Sequence, residues 1–380
     1  MTQGSAVQIV EVRSTGDLWK FIDVPYAVYG DDPSWIAPLR LERRFHLSRH
    51  NPFLEHGEWQ GWVALRNGVA AGRISAQVDR LHRERYGADT GHFGLLEGVD
   101  DPEVFARLFQ AAEIWLRERG ARVITGPFNL SVNQECGLLV EGFVRPPSVM
   151  MPHGRPWYDQ HVQAQGYVPM KDLLAYWVRT DYTPPRVMDA LIRRYSSVLR
   201  LRTLRRDHMA QELEILRDLF NDAWAQNWGF VPFTPAEFAE IGASLKLLVP
   251  DDFVQIAEIN GEPVAFIAAL PNVNEAAADL AGHLLPLGWA KLLWRLKRGQ
   301  VHTGRVPLMG VRQRFQNSPQ GIALAFLMIK AVKEALFRRG ILEVEMSWIL
   351  DDNKGMRHIL EVIGSDLYKR YRIYGKQLEI

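Results

Sequence analysis

A predicted helix start at residues 318–323 has the properties of an anion-binding site. Asn317 or Ser318 can serve as its N-cap, and Pro319 fits the first helical position. No helical carbonyl can satisfy the backbone N–H groups that follow, which belong to Gln320, Gly321, Ile322 and Ala323. Because the helix dipole adds to these donors, the segment suits a phosphate or pyrophosphate group. The alternative is a well-capped structural helix with a close glycine contact.

A second predicted helix start, near residue 102, carries the opposite charge. Asp101 is a good N-cap there, and Asp100, Asp101 and Glu103 place three negative charges where a phosphate would lie. The helix start at 318–323 instead follows Arg312 and Arg314, and its first turns hold no acidic residue. Since like charges oppose phosphate binding, we expect a phosphate-bearing cosubstrate only in the second half of the chain.

Two carboxylates and a hydroxyl share one face of a predicted strand at residues 342–348. Side chains of a strand alternate, so Glu343, Glu345 and Ser347 point to one side and apolar residues point to the other. Glu345 is the first candidate for a general base that takes a proton from a nucleophile, directly or through a water. For either glutamate the alternative is an ion pair with an arginine or a lysine.

Three tyrosines alternate with basic residues near the C-terminus. Alternation places Tyr368 and Tyr374 on one face of this segment and Tyr371 on the other. A phenol can give a proton to a leaving group, and Tyr371 and Tyr374 are our candidates for such an acid. Packing in the core is the alternative for each of them.

The chain repeats one order of predicted strands and helices twice, and these elements must position the groups described above. Asn67-Gly68 and Asn260-Gly261 each join two predicted strands in a hairpin. Each hairpin is followed by a strand, a long amphipathic helix at 102–119 or 319–339 that ends at a glycine, and another strand. The repeat predicts an α+β protein with two domains in tandem, each a mixed, mostly antiparallel sheet flanked by helices.

The paired prolines Pro184 and Pro185 mark the predicted boundary between the domains, because they interrupt regular structure. We therefore expect an N-terminal domain at residues 1–182 and a C-terminal domain at residues 183–380. A chain of 380 residues is long enough for two domains of ordinary size. By the charge argument, the first domain is a degenerate copy and the second binds the cosubstrate.

The bulk composition narrows the class of partner. With 45 basic and 44 acidic residues, no global field favours nucleic acid, and we expect no nucleic-acid partner. Cys136 is the only cysteine, which favours a reducing compartment. The first residues resemble no signal peptide, and no apolar run reaches the roughly 20 residues of a membrane span. These features predict a cytoplasmic protein.

The element order resembles the GNAT superfamily of acyl-CoA-dependent N-acyltransferases, with two copies in tandem. The family's Arg/Gln-x-x-Gly-x-Gly/Ala loop is similar to Ser318-Pro-Gln-Gly-Ile-Ala323, although Ser318 replaces the usual arginine or glutamine. The family's later Asn-helix-Gly-aromatic segment resembles Asn353 through Gly364 to Tyr368. Several runs look like a bacterial subgroup of uncharacterised acyltransferases near the bacterial ceramide synthases; these runs are residues 137–143, 221–230, 284–289 and 368–374.

The resemblance implies a reaction and a set of site residues. Acyl-CoA is the implied cosubstrate, no metal is implied, and the amine attacks the thioester directly. Glu345 would then act as the general base, and a tyrosine would protonate the leaving thiolate. The loop 318–323 and Asn353 would contact CoA, while an N-cap is the alternative for Asn353. Backbone groups of the preceding strand would bind the acyl-pantetheine arm; its residues are Met309, Gly310 and Val311.

Two further segments bear on the acceptor. In the family's architecture Trp224, Asn227 and Trp228 would line the acceptor side, with aromatic core filling as the alternative. From Pro286 to Arg298, leucines and tryptophans follow helical spacing beside a face of basic residues. That composition fits a helix at a membrane surface, and packing on its own domain is the alternative.

The leading hypothesis is an N-acyltransferase that moves a long-chain acyl group from acyl-CoA to a primary amine. In the most specific form of this hypothesis, the amine is a sphingoid base and the product is a ceramide-type amide. A small-amine N-acetyltransferase remains an alternative. Another is a Fem-like aminoacyl transferase, because such enzymes also join two folds of this kind. A catalytically inactive protein that binds acyl-CoA or lipid is the non-enzymatic alternative.

Overall fold

The computed structural model describes residues 6–378, which form two compact units. Unit 1 comprises Met1–Leu173, Ala277–Trp289 and Lys369–Ile380, and unit 2 comprises Leu174–Ala276 and Ala290–Tyr368. Neither unit is continuous in sequence. The predicted boundary between residues 182 and 183 lies a short way beyond the division at Leu173, and the C-terminal residues belong to unit 1 rather than to unit 2.

Within residues 6–378, unit 1 carries eight strands of its own and five α-helices. The strands are β1 (Gln8–Glu11), β2 (Gly57–Arg66), β3 (Val69–Asp79), β4 (Thr90–Gly98), β5 (Val123–Gly126), β6 (Phe128–Asn129), β7 (Glu135–Cys136) and β8 (Leu138–Glu141). The helices are α1 (Thr15–Val28), α2 (Arg40–His46), α3 (Arg80–Tyr86), α4 (Pro102–Glu118) and α5 (Tyr158–Ala164).

The main sheet of unit 1 is antiparallel from β1 through β4, and β4 then pairs with β5 in parallel. The last strand of the chain, β15 (Asp366–Gln377), continues this sheet: Tyr374 to Gln377 pair with β5. The core of unit 1 lies where α1 and α4 cover the sheet, and fully buried aromatic rings fill it, among them Phe21, Phe93, Phe105 and Phe109. Aromatic rings bury large apolar areas, so they supply much of the packing.

Unit 2 repeats this arrangement. Its strands are β10 (Leu199–Thr203), β11 (Val254–Ile259), β12 (Glu262–Pro271), β13 (Thr303–Val311) and β14 (Glu343–Leu350), and β9 (Val168–Arg179) lies next to β14 in the strand order. Its helices are α6 (Arg186–Tyr195), α7 (Met209–Trp224), α8 (Pro235–Leu248), α9 (Val273–Ala277), α10 (Gly288–Lys297), α11 (Pro319–Arg338) and α12 (Lys354–Val362).

The sheet of unit 2 is antiparallel from β10 through β13, and β13 then pairs with β14 in parallel. Its core lies between the sheet and α11, where apolar side chains of the helix are buried against β11 and β12. Each unit is therefore a mixed, mostly antiparallel sheet flanked by helices, which confirms the predicted α+β class.

The hairpins form where the sequence predicts them. Asn67 and Gly68 have φ values of 56° and 77°, and Asn260 and Gly261 have values of 53° and 82°. Two successive left-handed residues are the geometry of a type I′ turn, which favours Asn-Gly because Gly lacks a Cβ and Asn tolerates this region. The short turn fixes the register of each hairpin.

The long helices also follow the prediction closely. α4 ends one residue before the predicted end, and so does α11. Gly120 and Gly340 follow these helices with φ values of 77° and 76°. A residue in the left-handed region after a helix satisfies terminal carbonyls, and glycine does so without steric cost. No helix in residues 6–378 is long and apolar enough to cross a membrane.

Buried histidines should make unit 1 sensitive to acid. Burial lowers the pKa of His82 from 6.5 to about 4, and burial together with the neighbouring His82 lowers the pKa of His92 well below its ordinary value. The unfolded chain binds protons at a higher pH than the folded chain, so this stabilisation is present above pH 6.5 and is lost as the pH falls toward the folded pKa. We expect His82 alone to lower the free energy of unfolding by about 2 kcal/mol between about pH 7 and about pH 5.

Urea unfolding at a series of pH values tests this expectation. The His82→Gln variant should lose part of the pH dependence, because the other buried histidines keep theirs. An identical pH dependence in wild type and variant would contradict the assignment to His82.

Candidate functional site

The parallel ladder between β13 and β14 is short and leaves an opening at its end. The two strands pair only from Thr303 opposite Glu343 to Val306 opposite Met346. Both continue beyond that point, to Val311 and Leu350. On its other side β13 stays paired with β12 up to Val311. The backbone of β13 after Val306 therefore has one edge without a strand partner in the described ladder.

Met309, Gly310 and Val311 lie on this edge of β13. Gly310 also lies against Trp224, because a Cβ on Gly310 would approach the indole ring to 2.3 Å. Trp224 stacks on Phe220 with ring centroids 4.5 Å apart. The structure thus brings Trp224 next to the strand that the sequence linked to the acyl arm, and glycine is the residue that permits this approach.

The chain forms a capped helix start at residues 318–323, and it satisfies most of the predicted donors. Ser318 Oγ accepts the N–H of Gly321 at 3.0 Å and donates to the carbonyl of Phe315 at 2.6 Å. The N–H of Ile322 reaches the carbonyl of Ser318 at 3.1 Å, and Ala323 follows in the regular helical ladder. Within residues 6–378, the N–H of Gln320 has no hydrogen-bond partner.

The sequence left two interpretations of Gly321, an anion-binding site or a close packing contact, and the geometry bears on both. A Cβ at residue 321 would lie 2.1 Å from the carbonyl oxygen of Phe315. Backbone cannot move away as a flexible side chain can, so glycine is required for the local packing whether or not an anion binds. No acidic residue lies in the first turn of α11, and the helix start therefore remains open to a negative charge.

Arg312 and Arg314 contribute less free charge than the sequence suggested. Arg312 pairs with Asp218 at 2.5 Å, and Arg314 pairs with Glu262 at 2.6 Å. Both acids are more than half exposed. Exposed ion pairs contribute little to stability, so an incoming anion can compete for these arginines at small cost.

In unit 1, side chains of the protein itself occupy the helix start and the strand edge that correspond to those of unit 2. Asp101 Oδ1 accepts the N–H groups of Glu103 and Val104 at 2.9 and 3.4 Å, and Arg66 bridges Asp101 and Glu103. A carboxylate therefore already occupies the start of α4. Beyond the ladder of β4 and β5, the N–H of Leu95 donates to Asn129 Oδ1 at 2.7 Å.

Glu345 lies in a fully buried polar cluster in unit 2. Arg305 is opposite Glu345 in the parallel ladder, and both side chains have zero exposure. Arg305 Nε lies 3.6 Å from Glu345 Oε1 and donates to Ser347 Oγ at 2.9 Å. The hydroxyl of Ser347 donates to Glu345 Oε1. The ion-pair alternative for Glu345 is therefore present in the structure, and its partner is Arg305.

Tyr368 completes this cluster. Its hydroxyl donates to Glu345 Oε2, and its ring packs against Trp177 with centroids 5.2 Å apart. Tyr368 is half-buried, whereas Glu345 has no accessible surface. Any exchange of a proton between Glu345 and a bound substrate must therefore pass through a neighbour, and the phenol of Tyr368 is the more accessible group.

The two tyrosines chosen from the sequence lie in unit 1 and not in the Glu345 cluster of unit 2. Tyr371 is fully buried in the part of β15 that pairs with β8. Tyr374 donates to Asp159 at 2.5 Å, and burial together with this carboxylate raises its pKa well above the ordinary value. Alternation alone could not distinguish Tyr368 from Tyr374. The signal that favoured Tyr368 was its place in the segment that follows Asn353 and Gly364.

The remaining predicted residues have local roles in the structure. Asn353 Oδ1 accepts the N–H of Met356 at 3.0 Å, so Asn353 is the N-cap of α12. Asn227 and Trp228 are half-buried in the turn after α7, where the N–H of Asn227 donates to the carbonyl of Trp224. Among residues 6–378, no group of three or more His, Cys, Asp or Glu side chains could hold a metal ion.

The Arg305–Glu345 pair can be tested by its effect on stability. Removal of one partner leaves a buried charge unpaired, so Arg305→Met should lower the free energy of unfolding by about 3–5 kcal/mol. Arg305→Met combined with Glu345→Leu should recover part of this loss. Urea unfolding of both variants measures the difference.

The exposed pair of Arg314 and Glu262 is the matched control, and Arg314→Met should change the free energy of unfolding by less than about 1 kcal/mol. If Arg305→Met is as stable as wild type, the pair is not the buried ion pair that the geometry describes.

Comparisons with known proteins agree with this architecture. The chain is 54% identical over 363 residues to Protein YghO of Escherichia coli (strain K12), which covers 95% of this chain and 93% of that protein. It is 44% identical over 375 residues to a protein named bacterial ceramide synthase from Caulobacter vibrioides (strain NA1000 / CB15N), which covers 98% of each. No protein-family model matches the chain.

Solved structures show the same fold at low sequence identity. A tandem GNAT protein from the clavulanic acid biosynthesis pathway matches with a TM-score of 0.57 and 11% identity over 98% of both chains. A GCN5-related N-acetyltransferase from Sphaerobacter thermophilus matches with a TM-score of 0.53 and 14% identity, over 97% of this chain and 95% of that one. The resemblance predicted from the sequence is confirmed. The chain belongs to the tandem GNAT-like N-acyltransferase family that includes YghO and the bacterial ceramide synthase.

Proposed function

We propose that unit 2 transfers a long-chain acyl group from acyl-CoA to a primary amine, and that the amine is a sphingoid base. The observation that carries this proposal is the arrangement at the end of β13. There, an unpaired strand edge, a helix start without acidic residues and the polar cluster of Glu345 belong to one unit. The relative named bacterial ceramide synthase supports the choice of a lipid amine.

The cosubstrate would bind along β13 and α11. The N–H of Gln320 and the positive end of α11 would receive the pyrophosphate, with Arg312 or Arg314 released from its exposed carboxylate partner. The acyl-pantetheine arm would lie along the open edge formed by Met309, Gly310 and Val311. A backbone N–H on that edge would polarise the thioester carbonyl, since a donor aimed at the developing oxyanion stabilises the transition state.

The chemistry would move one proton from the amine to the sulfur of CoA. An aliphatic ammonium has a pKa near ~10 and must lose a proton before it attacks. Glu345 would accept that proton through Tyr368 or a water, because its carboxylate is enclosed. Nitrogen then bonds to the carbonyl carbon and loses its second proton to solvent water, and the carbon–sulfur bond breaks to leave a neutral amide. The phenol of Tyr368 would protonate the thiolate and regain its proton from Glu345.

Arg305 and Ser347 would position the carboxylate. Ser347 donates its hydroxyl to Glu345 Oε1, and Arg305 in turn donates to Ser347 Oγ. Glu345 Oε2 is therefore left for Tyr368. Unit 1 would bind no CoA, since Asp101 occupies its helix start and Asn129 its strand edge. We also propose that the protein is cytoplasmic and that residues 286–298 bring it into peripheral contact with the inner face of the cytoplasmic membrane.

Release of free thiol tests the reaction. Purified protein is incubated with palmitoyl-CoA or acetyl-CoA and with a sphingoid base, a polyamine or no amine. We expect thiol release that depends on both palmitoyl-CoA and the sphingoid base. Preference for acetyl-CoA and polyamine would replace the lipid version with a small-amine acetyltransferase. Tight CoA binding without thiol release from any pair would favour an inactive binding protein.

Two substitutions test the proposed proton path. Glu345→Gln and Tyr368→Phe should each lower kcat by about 10²–10⁴, as expected for loss of general acid or base catalysis. Tyr374→Phe in unit 1 removes a phenol from the same strand and should leave kcat nearly unchanged. CoA affinity should be nearly unaltered in all three variants, since none of these side chains belongs to the proposed pyrophosphate site or to the strand edge proposed for the pantetheine arm. Equal losses in Tyr368→Phe and Tyr374→Phe would contradict this assignment.

Gln320→Glu separates anion binding from helix stability. The change is nearly isosteric and avoids the steric conflict that any side chain at residue 321 would create. A carboxylate in the first turn stabilises a helix, so the free energy of unfolding should stay the same or rise slightly. The same charge should repel pyrophosphate and raise the Kd for CoA by about tenfold.

The control is Glu103→Gln in unit 1, which alters the charge at the corresponding helix start and should leave CoA affinity unchanged. Isothermal titration with CoA measures both values. Unaltered affinity in Gln320→Glu would argue against the start of α11 as the pyrophosphate site.

A further inference from the structure

Unit 1 has a surface cleft to which no step of the proposed reaction is assigned. The cleft has a volume of about 710 Å³ and lies beside the last turn of α4, next to β5, the end of β15 and the beginning of β9. All of the described residues that line it belong to unit 1. Sites for small molecules commonly have volumes of about 300–1,000 Å³, so the cleft is large enough for one.

Part of the cleft is apolar and open to solvent. Val123, Val168 and Met170 contribute this surface, and Val168 and Met170 are 60% and 48% exposed. Met170 packs over the backbone of Gly375, where a Cβ would come within 2.0 Å of Met170 Sδ. The apolar groups are therefore held at the wall of the cleft, and an apolar ligand group would remove them from water.

The polar part of the cleft carries an excess of positive charge. Lys376 Nζ lies 2.7 Å from Glu113 Oε1, and Arg117 Nη2 lies 3.4 Å from Glu113 Oε2. Among the described residues that line the cleft, none is acidic. Glu113 thus serves two cations, so two positive charges and one negative charge leave one positive charge without a counter-charge.

Arg117 is the cation that a ligand can recruit. Its side chain is 44% exposed, and its distance to Glu113 is longer than the roughly 2.7–2.9 Å of a charge-assisted hydrogen bond. Lys376 is only 24% exposed, and its ammonium lies 5.3 Å from the ring of Tyr167, whose hydroxyl donates to Glu113. A second carboxylate can therefore bond Arg117 while the pair of Lys376 and Glu113 stays intact.

The charge and the apolar wall together define the class of ligand. A monoanion balances the excess charge, whereas a dianion such as a phosphate monoester would meet the partial negative charge at the C-terminal end of α4. A guanidinium binds a carboxylate through two parallel N–H groups. The apolar side chains next to Arg117 require that the carboxylate has an apolar tail.

We propose that this cleft binds a monocarboxylate with a linear apolar tail, such as a medium-chain fatty acid. The carboxylate accepts hydrogen bonds from Arg117, and the tail lies along Val123, Val168 and Met170. Binding is not covalent and needs neither CoA nor an amine, so it can be measured without any turnover.

The test is isothermal titration of the full chain with dodecanoate below its micellar concentration. Butanoate has the same head with a short tail, and dodecylamine has the same tail with the opposite charge; each should bind at least about tenfold more weakly than dodecanoate. Arg117→Gln should raise the Kd for dodecanoate about tenfold, because it removes the charge that holds the carboxylate. Val168→Asp should raise it by at least about tenfold, because it adds a like charge to the apolar wall.

Arg338→Gln and Val69→Asp are the matched controls. Arg338 is an exposed arginine in the last turn of α11, as Arg117 is in the last turn of α4. Val69 is 66% exposed and is the first residue of β3, as Val168 is of β9. Both control variants should bind dodecanoate like wild type.

Failure of wild type to bind dodecanoate overturns the proposal. So does an unchanged Kd in both Arg117→Gln and Val168→Asp, because the ligand would then occupy another part of the protein, such as the acyl site proposed for unit 2. Equal affinity for dodecylamine also overturns it, since the cleft would then not recognise the carboxylate. Thiol release from palmitoyl-CoA reports on the proposed function separately.

Discussion

The short parallel ladder between β13 and β14 is the constraint on which the candidate site depends. Four residue pairs hold the strands together, and beyond Val306 and Met346 they separate. Within the ladder, the register sets Arg305 opposite Glu345, so a buried charge has its counter-charge on the neighbouring strand. Beyond the ladder, β13 keeps an open edge close to the start of α11. One register therefore fixes both the polar cluster and the opening beside it.

Unit 1 has the same order of strands and uses it differently. Its parallel ladder of β4 and β5 is shorter still, with three residue pairs, but Asn129 bonds the strand edge and Asp101 caps the helix start with a carboxylate. A fold with an open edge carries backbone groups that need partners. Unit 1 supplies these partners from its own chain, whereas in unit 2 the described ladder leaves the edge of β13 beyond Val306 without a strand partner, and our proposal assigns this edge to the acyl-pantetheine arm. The difference between the two copies thus lies in a few side chains.

Much of the fold follows from the sequence, and less of the site does. The Asn-Gly hairpins, the Gly120 and Gly340 helix ends and the long helices depend on local conformational preferences, and each was predicted within a residue or two. The interpretation of residues 318–323 was right about the cap, yet it overestimated the free donors, because Ser318 and its neighbours satisfy most of them. The choice of Tyr371 and Tyr374 depended on alternation, which assigns a face but not a neighbour.

The sequence by itself determined the α+β class, the duplicated order of elements and the different charges of the two helix starts, since each arises from residues close together in the chain. The tertiary structure decided which groups meet. Arg305 lies 40 positions from Glu345 in the chain and Tyr368 lies 23 away, and only strand register and packing bring them together. Exposure of Trp289 and Trp294 was likewise decided by packing, because an amphipathic pattern does not state whether its apolar face is covered.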